Sequence, residues 1–124
     1  MNLLLVMLGG ALGAGGRHLV GRIMLSLFGM AFPYGTLTVN LLGGLLMGLL
    51  AGSLLRLGAH SEAWRLFLGV GILGGFTTFS SFSLDTVVMA ERGALGLAAG
   101  YVLLSVAGSI AALFGGLLLA RNWA

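Results

Sequence analysis

The sequence predicts an all-α membrane protein with four transmembrane helices, the third of which is broken mid-membrane. The 124-residue chain is 59% hydrophobic and only 7% charged, with a mean hydropathy of +1.13. A soluble domain carries about 25% charged residues, so this chain cannot cover a soluble surface. Its apolar residues fall into four segments, each near the roughly 20 residues that a helix needs to cross the hydrocarbon core. Residues 1–124 are therefore predicted to form a single integral membrane domain.

The four predicted spans are separated by short breaks that are rich in glycine or polar residues. Connections this short force consecutive spans to run antiparallel, with both termini on one side of the membrane. The chain has no cysteine, which excludes disulfides and thiolate metal sites. The predicted spans are approximately 2–28, 34–57, 62–89 and 95–120, and the breaks are 29–33, 58–61 and 91–93.

Small residues recur every four positions in three of the spans. This spacing lets membrane helices approach closely, so it predicts packing and carries no information about a substrate. The residues are Gly9 and Gly13 in the first span, Gly44, Gly48 and Gly52 in the second, and Gly108, Ala112 and Gly116 in the fourth.

The six arginines are divided equally between the two sides of the predicted bundle, and the chain has no lysine. Membrane orientation follows an asymmetry of Lys and Arg near span ends, and that asymmetry is absent here. Either a partner or a subtler signal sets the topology, or the chain inserts both ways and pairs as an antiparallel dimer. The two sets are Arg56, Arg65 and Arg121 on the side of the termini, and Arg17, Arg22 and Arg92 on the other.

The third span contains the segment GGFTTFSSFS (residues 74–83), which combines glycines, hydroxyls and phenylalanines in an apolar run. A broken helix is tolerated in lipid only where its freed backbone groups find partners in protein or line a cavity. The pair Gly74 and Gly75 predicts the interruption, and the oxygens that it frees would suit a hard cation such as Na⁺. This segment is predicted to be the functional centre.

Spacing by three predicts that phenylalanines and hydroxyls alternate around the third helix. Ring edges carry positive partial charge and can face an anion, while hydroxyls can replace its lost hydration. Ordinary packing of an aromatic row is the competing interpretation. The predicted rows are Phe76, Phe79 and Phe82; Thr77, Ser80 and Ser83; and Thr78, Ser81 and Asp85.

Three further polar features lie inside predicted spans, where such groups are costly and are candidates for function. Asn40 in the second span either serves function or forms a purely structural interhelical hydrogen bond. In the fourth span a stripe either donates to an anion or bonds back to its own helix. Arg17 in the first span either acts on an ion or extends its side chain to the interface. The stripe consists of Tyr101, Ser105 and Ser109.

No catalytic constellation is present, so an enzyme is not expected. The only carboxylates are Asp85, Glu62 and Glu91, and the two histidines lie at span ends. A metal site of His and carboxylate type, a Ser–His–Asp triad and a phosphate loop all lack their residues.

Three motifs in this chain resemble those of the Fluc (CrcB) fluoride channels. They are GTLTVN (residues 35–40), GGFTTFSSFS followed by Asp85, and a GAxxR string that ends at Arg17. The resemblance covers essentially the whole chain. It implies a fluoride-selective channel that passively exports fluoride and lowers its toxic concentration in the cell. It also implies a dual-topology antiparallel homodimer with two pores in the cell (inner or plasma) membrane of a bacterium, with a structural, non-transported Na⁺ at the interface.

The resemblance assigns roles residue by residue. Backbone carbonyls of Gly74 and Thr77 match the Na⁺ ligands, and Arg17 matches a vestibule arginine. Residues matching the fluoride path or its supporting groups are Asn40, Phe79, Phe82, Thr78, Ser80, Ser81, Tyr101, Ser105 and Ser109. Three positions depart from the family pattern: Asp85 replaces the usual Glu, Phe76 a common Leu, and Ser81 a common Thr.

Two other functions fit a small four-span chain. A dual-topology multidrug exporter would need a carboxylate within the first span to exchange protons for drug, and that span has none. A non-transporting structural subunit would use its polar residues for packing alone.

Overall fold

In the computed structural model, residues 2–54 and 61–122 are described, and they form an all-helical fold. Four stretches are long and apolar enough to cross a membrane, which confirms the prediction of four helical spans. The end of the second predicted span, residues 55–57, lies outside the described residues. The helices are α1 (Asn2–Phe28), α2 (Tyr34–Leu54), α3 (residues 61–76), α4 (Phe79–Glu91) and α5 (Leu95–Asn122).

Glycines with positive φ end the two helices that are followed by described turns. Gly29 has a φ of 78° and donates its N–H to the carbonyl of Leu25 at the end of α1 (2.9 Å). Gly93 has a φ of 83° directly after α4. Glycine adopts this left-handed conformation without the steric cost of a Cβ, so it stops each helix and turns the chain toward the next one.

Helix α3 packs on α1 through glycine backbones. Its middle, Arg65–Leu73, has π-helical geometry, between α-helical turns at Ser61–Trp64 and Gly74–Phe76. A Cβ added at Gly9 of α1 would lie 2.9 Å from the Cα of Gly71, which is closer than real side chains approach. The close helix packing that the small-residue spacing in α1 predicts is therefore observed between α1 and α3.

Helices α2 and α5 are joined in the same way. A Cβ at Gly44 would lie 2.8 Å from the carbonyl oxygen of Ser109, and a Cβ at Gly52 would lie 2.5 Å from the Cβ of Ala120. Buried Gly48 faces the backbone of Leu113. These contacts fix the position of α5 along the axis of α2, and hence the positions of the polar residues of α5.

A small aromatic core lies where α2, α4 and α5 meet. Tyr101 is fully buried, and its ring packs 5.2 Å from that of Phe82 and 5.4 Å from that of Phe32. Elsewhere large apolar side chains cover the surface, as expected for helices that face lipid. The buried members of the core are Leu37, Phe82, Met89, Ala98 and Tyr101.

Candidate ion pathway

The chain leaves helical geometry at Thr77 and Thr78, between α3 and α4. Thr77 has φ −84° and ψ 158°, and Thr78 has φ −151° and ψ 120°, both extended. Thr78 then caps α4, because its hydroxyl oxygen accepts a hydrogen bond from the N–H of Ser81 (3.1 Å). The interruption predicted at Gly74 and Gly75 thus lies slightly later in the chain.

Gly75 serves packing, and helical geometry continues through Gly74–Phe76, so the predicted position of the interruption is wrong. Gly75 lies against Gly10 of α1, where a Cβ would be 3.0 Å from the Gly10 Cα. The single helical row of Phe76, Phe79 and Phe82 is also wrong, because the extended residues separate Phe76 from the other two. Phe76 instead packs beside Gly16 and Gly43.

Asn40 of α2 holds the extended segment with two hydrogen bonds to one residue. Its Oδ1 accepts from the N–H of Thr78 (2.8 Å), and its Nδ2 donates to the Thr78 carbonyl (3.0 Å). Both backbone groups of an extended residue inside an apolar bundle are satisfied in this way. The interhelical hydrogen bond considered for Asn40 is therefore present, and it is made to the backbone at the break.

The backbone carbonyls around the break differ in their hydrogen-bond donors. The Gly75 carbonyl accepts from Nε of Arg17 (3.1 Å), so this arginine turns part of its guanidinium toward the break. In a continuous helix the N–H of Thr78 would pair with Gly74, and the N–H of Ser81 with Thr77. Both donors are directed to side chains instead. Gly74 and Thr77, the predicted Na⁺ ligands, thus lose their usual helical donors.

A pocket of about 380 Å³ lies beside the break, between α2, α4 and α5. Phe82 is 8% exposed, whereas Phe79 is 77% exposed, and their ring centroids are 5.5 Å apart. One ring is thus fixed in the core and the other stands at the surface of the chain. The pocket gathers six residues of the predicted path: Asn40, Thr78, Phe79, Phe82, Ser105 and Ser109.

The hydroxyl of Ser105 is buried at this pocket and has no hydrogen-bond partner among the described residues. The residue is only 5% exposed. An unsatisfied buried hydroxyl costs about 1–3 kcal/mol, so it calls for an explanation. By contrast, Ser83 donates to the carbonyl of Phe79 on its own helix (2.9 Å). The interpretation that the α5 stripe bonds back to its own helix is wrong for Ser105.

Tyr101 is held apart from the pocket that Ser105 and Ser109 line. Its hydroxyl donates to Oδ2 of Asp85 across the α4–α5 interface (3.0 Å). Asp85, one methylene shorter than the usual Glu, therefore reaches the first residue of the stripe. Sequence reasoning did not find this pair, since 16 positions separate its members and no local spacing joins them.

Besides Tyr101, two further hydroxyl residues of the predicted path lie outside the pocket. Ser80 is exposed, and its hydroxyl is 3.2 Å from that of Thr78. Ser81 lines a second pocket, of about 320 Å³, together with Arg17. The structure therefore brings these two serines to the neighbourhood of the break and leaves them off the wall that carries the phenylalanines.

Comparisons with known proteins agree on one family. The model of the family described as "CrcB-like protein, Camphor Resistance (CrcB)" matches residues 4–117. A protein of Caulobacter sp. (strain K31) named fluoride-specific ion channel FluC is 60% identical over 122 residues, covering 98% of this chain and 95% of that protein. A FluC of Phenylobacterium zucineum (strain HLK1) is 60% identical over 121 residues, covering 97% and 95%. A FluC 2 of Nitrobacter hamburgensis is 51% identical over 122 residues, covering 98% of each.

Proposed function

The chain belongs to the CrcB family of fluoride-specific ion channels, and from this premise we propose that it passively exports fluoride and so lowers its toxic concentration in the cell. We place this multi-pass membrane protein in the cell (inner or plasma) membrane of a bacterium. The relatives are named ion channels, which are not enzymes. No observation favours a multidrug exporter, since α1 holds no carboxylate.

The unpartnered hydroxyl of Ser105 is the observation that carries this proposal. Fluoride is small and strongly hydrated, so a dry pathway must offer donors in place of water. A buried hydroxyl that is bonded to no other group of the described residues gives up nothing when an anion arrives. Asn40, Phe79 and Phe82 line the same pocket.

Selectivity would come from the fixed geometry of these groups. Phe82 packs on the fully buried ring of Tyr101, and Tyr101 is in turn bonded to Asp85. These successive contacts hold the Phe82 ring in one position. The ring therefore cannot move to make equally favourable contacts with a larger anion. No carboxylate of the described residues lines the pocket, which disfavours cations.

We place a second copy of the chain, in antiparallel orientation, against the exposed ring of Phe79. A ring that is 77% exposed at the edge of the pocket has apolar surface to bury, and a second chain would close the open side of the pathway. The balanced arginines allow both orientations in the membrane. The resulting dual-topology homodimer would bring the two breaks together, each at the middle of a third membrane span.

Gly74 and Thr77 would hold a structural Na⁺ through their backbone carbonyls at this interface. The residues fit the ion, because neutral oxygens suit a hard cation and both carbonyls have lost their usual helical donors. Gly74 is also exposed in the single chain, where a partner could approach. When bound, the ion supplies positive charge that offsets the cost of bringing an anion into a medium of low dielectric.

Replacing Na⁺ by a large organic cation is expected to weaken the dimer, because the interfacial carbonyls then lose their shared ligand. The dimer fraction of purified protein in detergent, measured by chemical cross-linking, should fall and should recover when Na⁺ is restored. An unchanged dimer fraction after exhaustive exchange would contradict the Na⁺ site, while a monomer in every buffer would contradict the dimer.

Ser105→Ala is expected to lower fluoride current by about 10- to 100-fold, since a hydrogen bond to a charged group contributes about 1.5–3 kcal/mol. The measurement is fluoride current in planar bilayers. Ser83→Ala is the matched control, because the Ser83 hydroxyl is bonded to its own helix, and it should conduct like the unmodified protein. Equal currents in both variants would remove Ser105 from the pathway.

A further inference from the structure

Gly43 of α2 is a buried glycine that the close packing of α2 on α5 does not explain. Gly44, Gly48 and Gly52 form the row that meets α5, and Gly43 lies outside this row. A Cβ added at Gly43 would instead collide with the γ-methyl group of Thr77, at the break between α3 and α4. The absence of a side chain at Gly43 therefore leaves a notch in α2, and the Thr77 methyl group occupies this notch.

The Thr77 side chain is held in the notch by its hydroxyl. The hydroxyl donates to the Leu73 carbonyl (3.0 Å), and the Thr77 N–H donates to the same oxygen (3.0 Å). Threonine is branched at Cβ, so its methyl and hydroxyl groups move together when χ1 rotates. A rotation that emptied the notch would break the hydroxyl's bond to Leu73. The Thr77 side chain is thus fixed to α2 on one side and to α3 on the other.

Two residues of α2 hold the peptide unit that contains the Thr77 carbonyl. Gly43 follows Asn40 by three positions, which places both on one face of the helix. The Thr78 N–H donates to Oδ1 of Asn40 (2.8 Å). The Thr77 carbonyl belongs to the same planar trans peptide unit, so it points away from Asn40. The direction of this carbonyl therefore depends on where α2 holds Thr77 and Thr78.

We infer that Gly43 is a positioning residue for the Na⁺ site, because its notch seats Thr77 so that the Thr77 carbonyl is directed to the ion. The inference rests on the proposed function, in which this carbonyl is a Na⁺ ligand. Oxygen ligands hold a hard cation at short distances, so a displaced carbonyl binds it less well. Gly43 contributes no ligand of its own and acts through the Thr77 side chain.

Gly43→Ala tests the inference through the Na⁺ concentration at which half of the protein is dimeric. Cross-linking in detergent measures this midpoint, with a large organic cation in place of the missing Na⁺. The midpoint should rise by about 10-fold, because the new Cβ displaces Thr77, and saturating Na⁺ should restore the full dimer fraction. Gly52→Ala is the matched control. It crowds α2 against Ala120 of α5 and not against Thr77, so it should keep the midpoint of the unmodified protein.

Thr77→Ser should reverse the effect of Gly43→Ala. Serine keeps the hydroxyl and lacks the methyl group, and a Cβ at Gly43 would lie 3.6 Å from the Thr77 Cβ, which is ordinary van der Waals contact. The double variant should therefore return to within about two-fold of the unmodified midpoint. Thr77→Ser alone leaves the notch empty and should raise the midpoint by about five-fold. Comparison of Thr77→Ser with the double variant tests the notch even if Gly43→Ala alone does not fold.

An unchanged midpoint in folded Gly43→Ala protein would overturn the inference and leave the proposed function standing. So would a double variant whose midpoint stays as high as that of Thr77→Ser, or an equal rise in Gly52→Ala. A dimer fraction of the unmodified protein that does not depend on Na⁺ would overturn the proposed Na⁺ site and the inference together.

Discussion

Phe79→Ile is expected to abolish fluoride conduction while leaving the protein folded. The Phe79 side chain is 77% exposed in the single chain, so its replacement removes little packing inside the subunit. It does remove an aromatic ring that lines the pocket, and isoleucine has no positive ring edge to offer an anion. Loss of contacts to a desolvated ion amounts to several kcal/mol, so conduction should fall by at least about 100-fold.

The measurement is fluoride release from proteoliposomes, followed with a fluoride electrode. Phe114→Ile is the matched control, since Phe114 is 58% exposed on α5 and lies off the pocket; it should release fluoride normally. Phe82→Ile should also stop conduction, with some loss of stability because Phe82 packs on Tyr101. Normal release by folded Phe79→Ile or Phe82→Ile protein would show that the aromatic path is wrong.

Asn40→Ala is expected to destabilise the protein and to stop conduction together. The substitution leaves the N–H and the carbonyl of Thr78 without their partner, in an apolar bundle where water does not replace it. Each unsatisfied group costs about 1–3 kcal/mol, so the loss should be roughly 2–6 kcal/mol. Without these two hydrogen bonds, the extended segment can relax, and the residues of this segment that line the pocket would change position.

Thermal unfolding in detergent and fluoride release from liposomes measure the two effects. Thr86→Ala is the control, because the Thr86 hydroxyl donates to the Phe82 carbonyl on its own helix (2.9 Å) and holds no other element. An Asn40→Ala protein that unfolds at the same temperature as the unmodified protein and releases fluoride at the same rate would contradict this role of Asn40.

The four spans could be predicted from the sequence because they depend on local properties. A run of apolar residues of the right length specifies a membrane helix, and the helix predicted at residues 2–28 is observed as Asn2–Phe28. Glycine spacing likewise identified the faces of α1, α2 and α5 that pack closely. Lipid leaves few other solutions for such segments, so composition alone carries this information.

The details of the break could not be predicted, because they depend on contacts between helices. Gly74 and Gly75 gave the expected local signal for an interruption, but Gly75 is required for packing on Gly10, and helical geometry persists to Phe76. The extended conformation of Thr78 is stabilised by Asn40, which lies 38 positions earlier in the chain. Asn40 lies in the second span, so no pattern within the third span could have predicted this contact.

The composition of the pocket shows the same limit. The spacing of Ser105 and Ser109 predicts that they share one face of the helix, and both line the pocket. Tyr101 obeys the same spacing and lies elsewhere, because its hydroxyl is bonded to Asp85 and its ring is buried among aromatics. Spacing predicts the face of the helix on which a side chain lies, but the contacts of that side chain depend on the neighbouring helices.

Fluoride efflux from liposomes that contain the purified, Na⁺-replete protein tests the central claim most directly, with chloride-loaded liposomes beside them. We expect rapid fluoride release and little chloride release. Equal release of the two anions would contradict fluoride selectivity. No release of either anion by a folded dimer would contradict the channel itself and would favour a structural role for this chain.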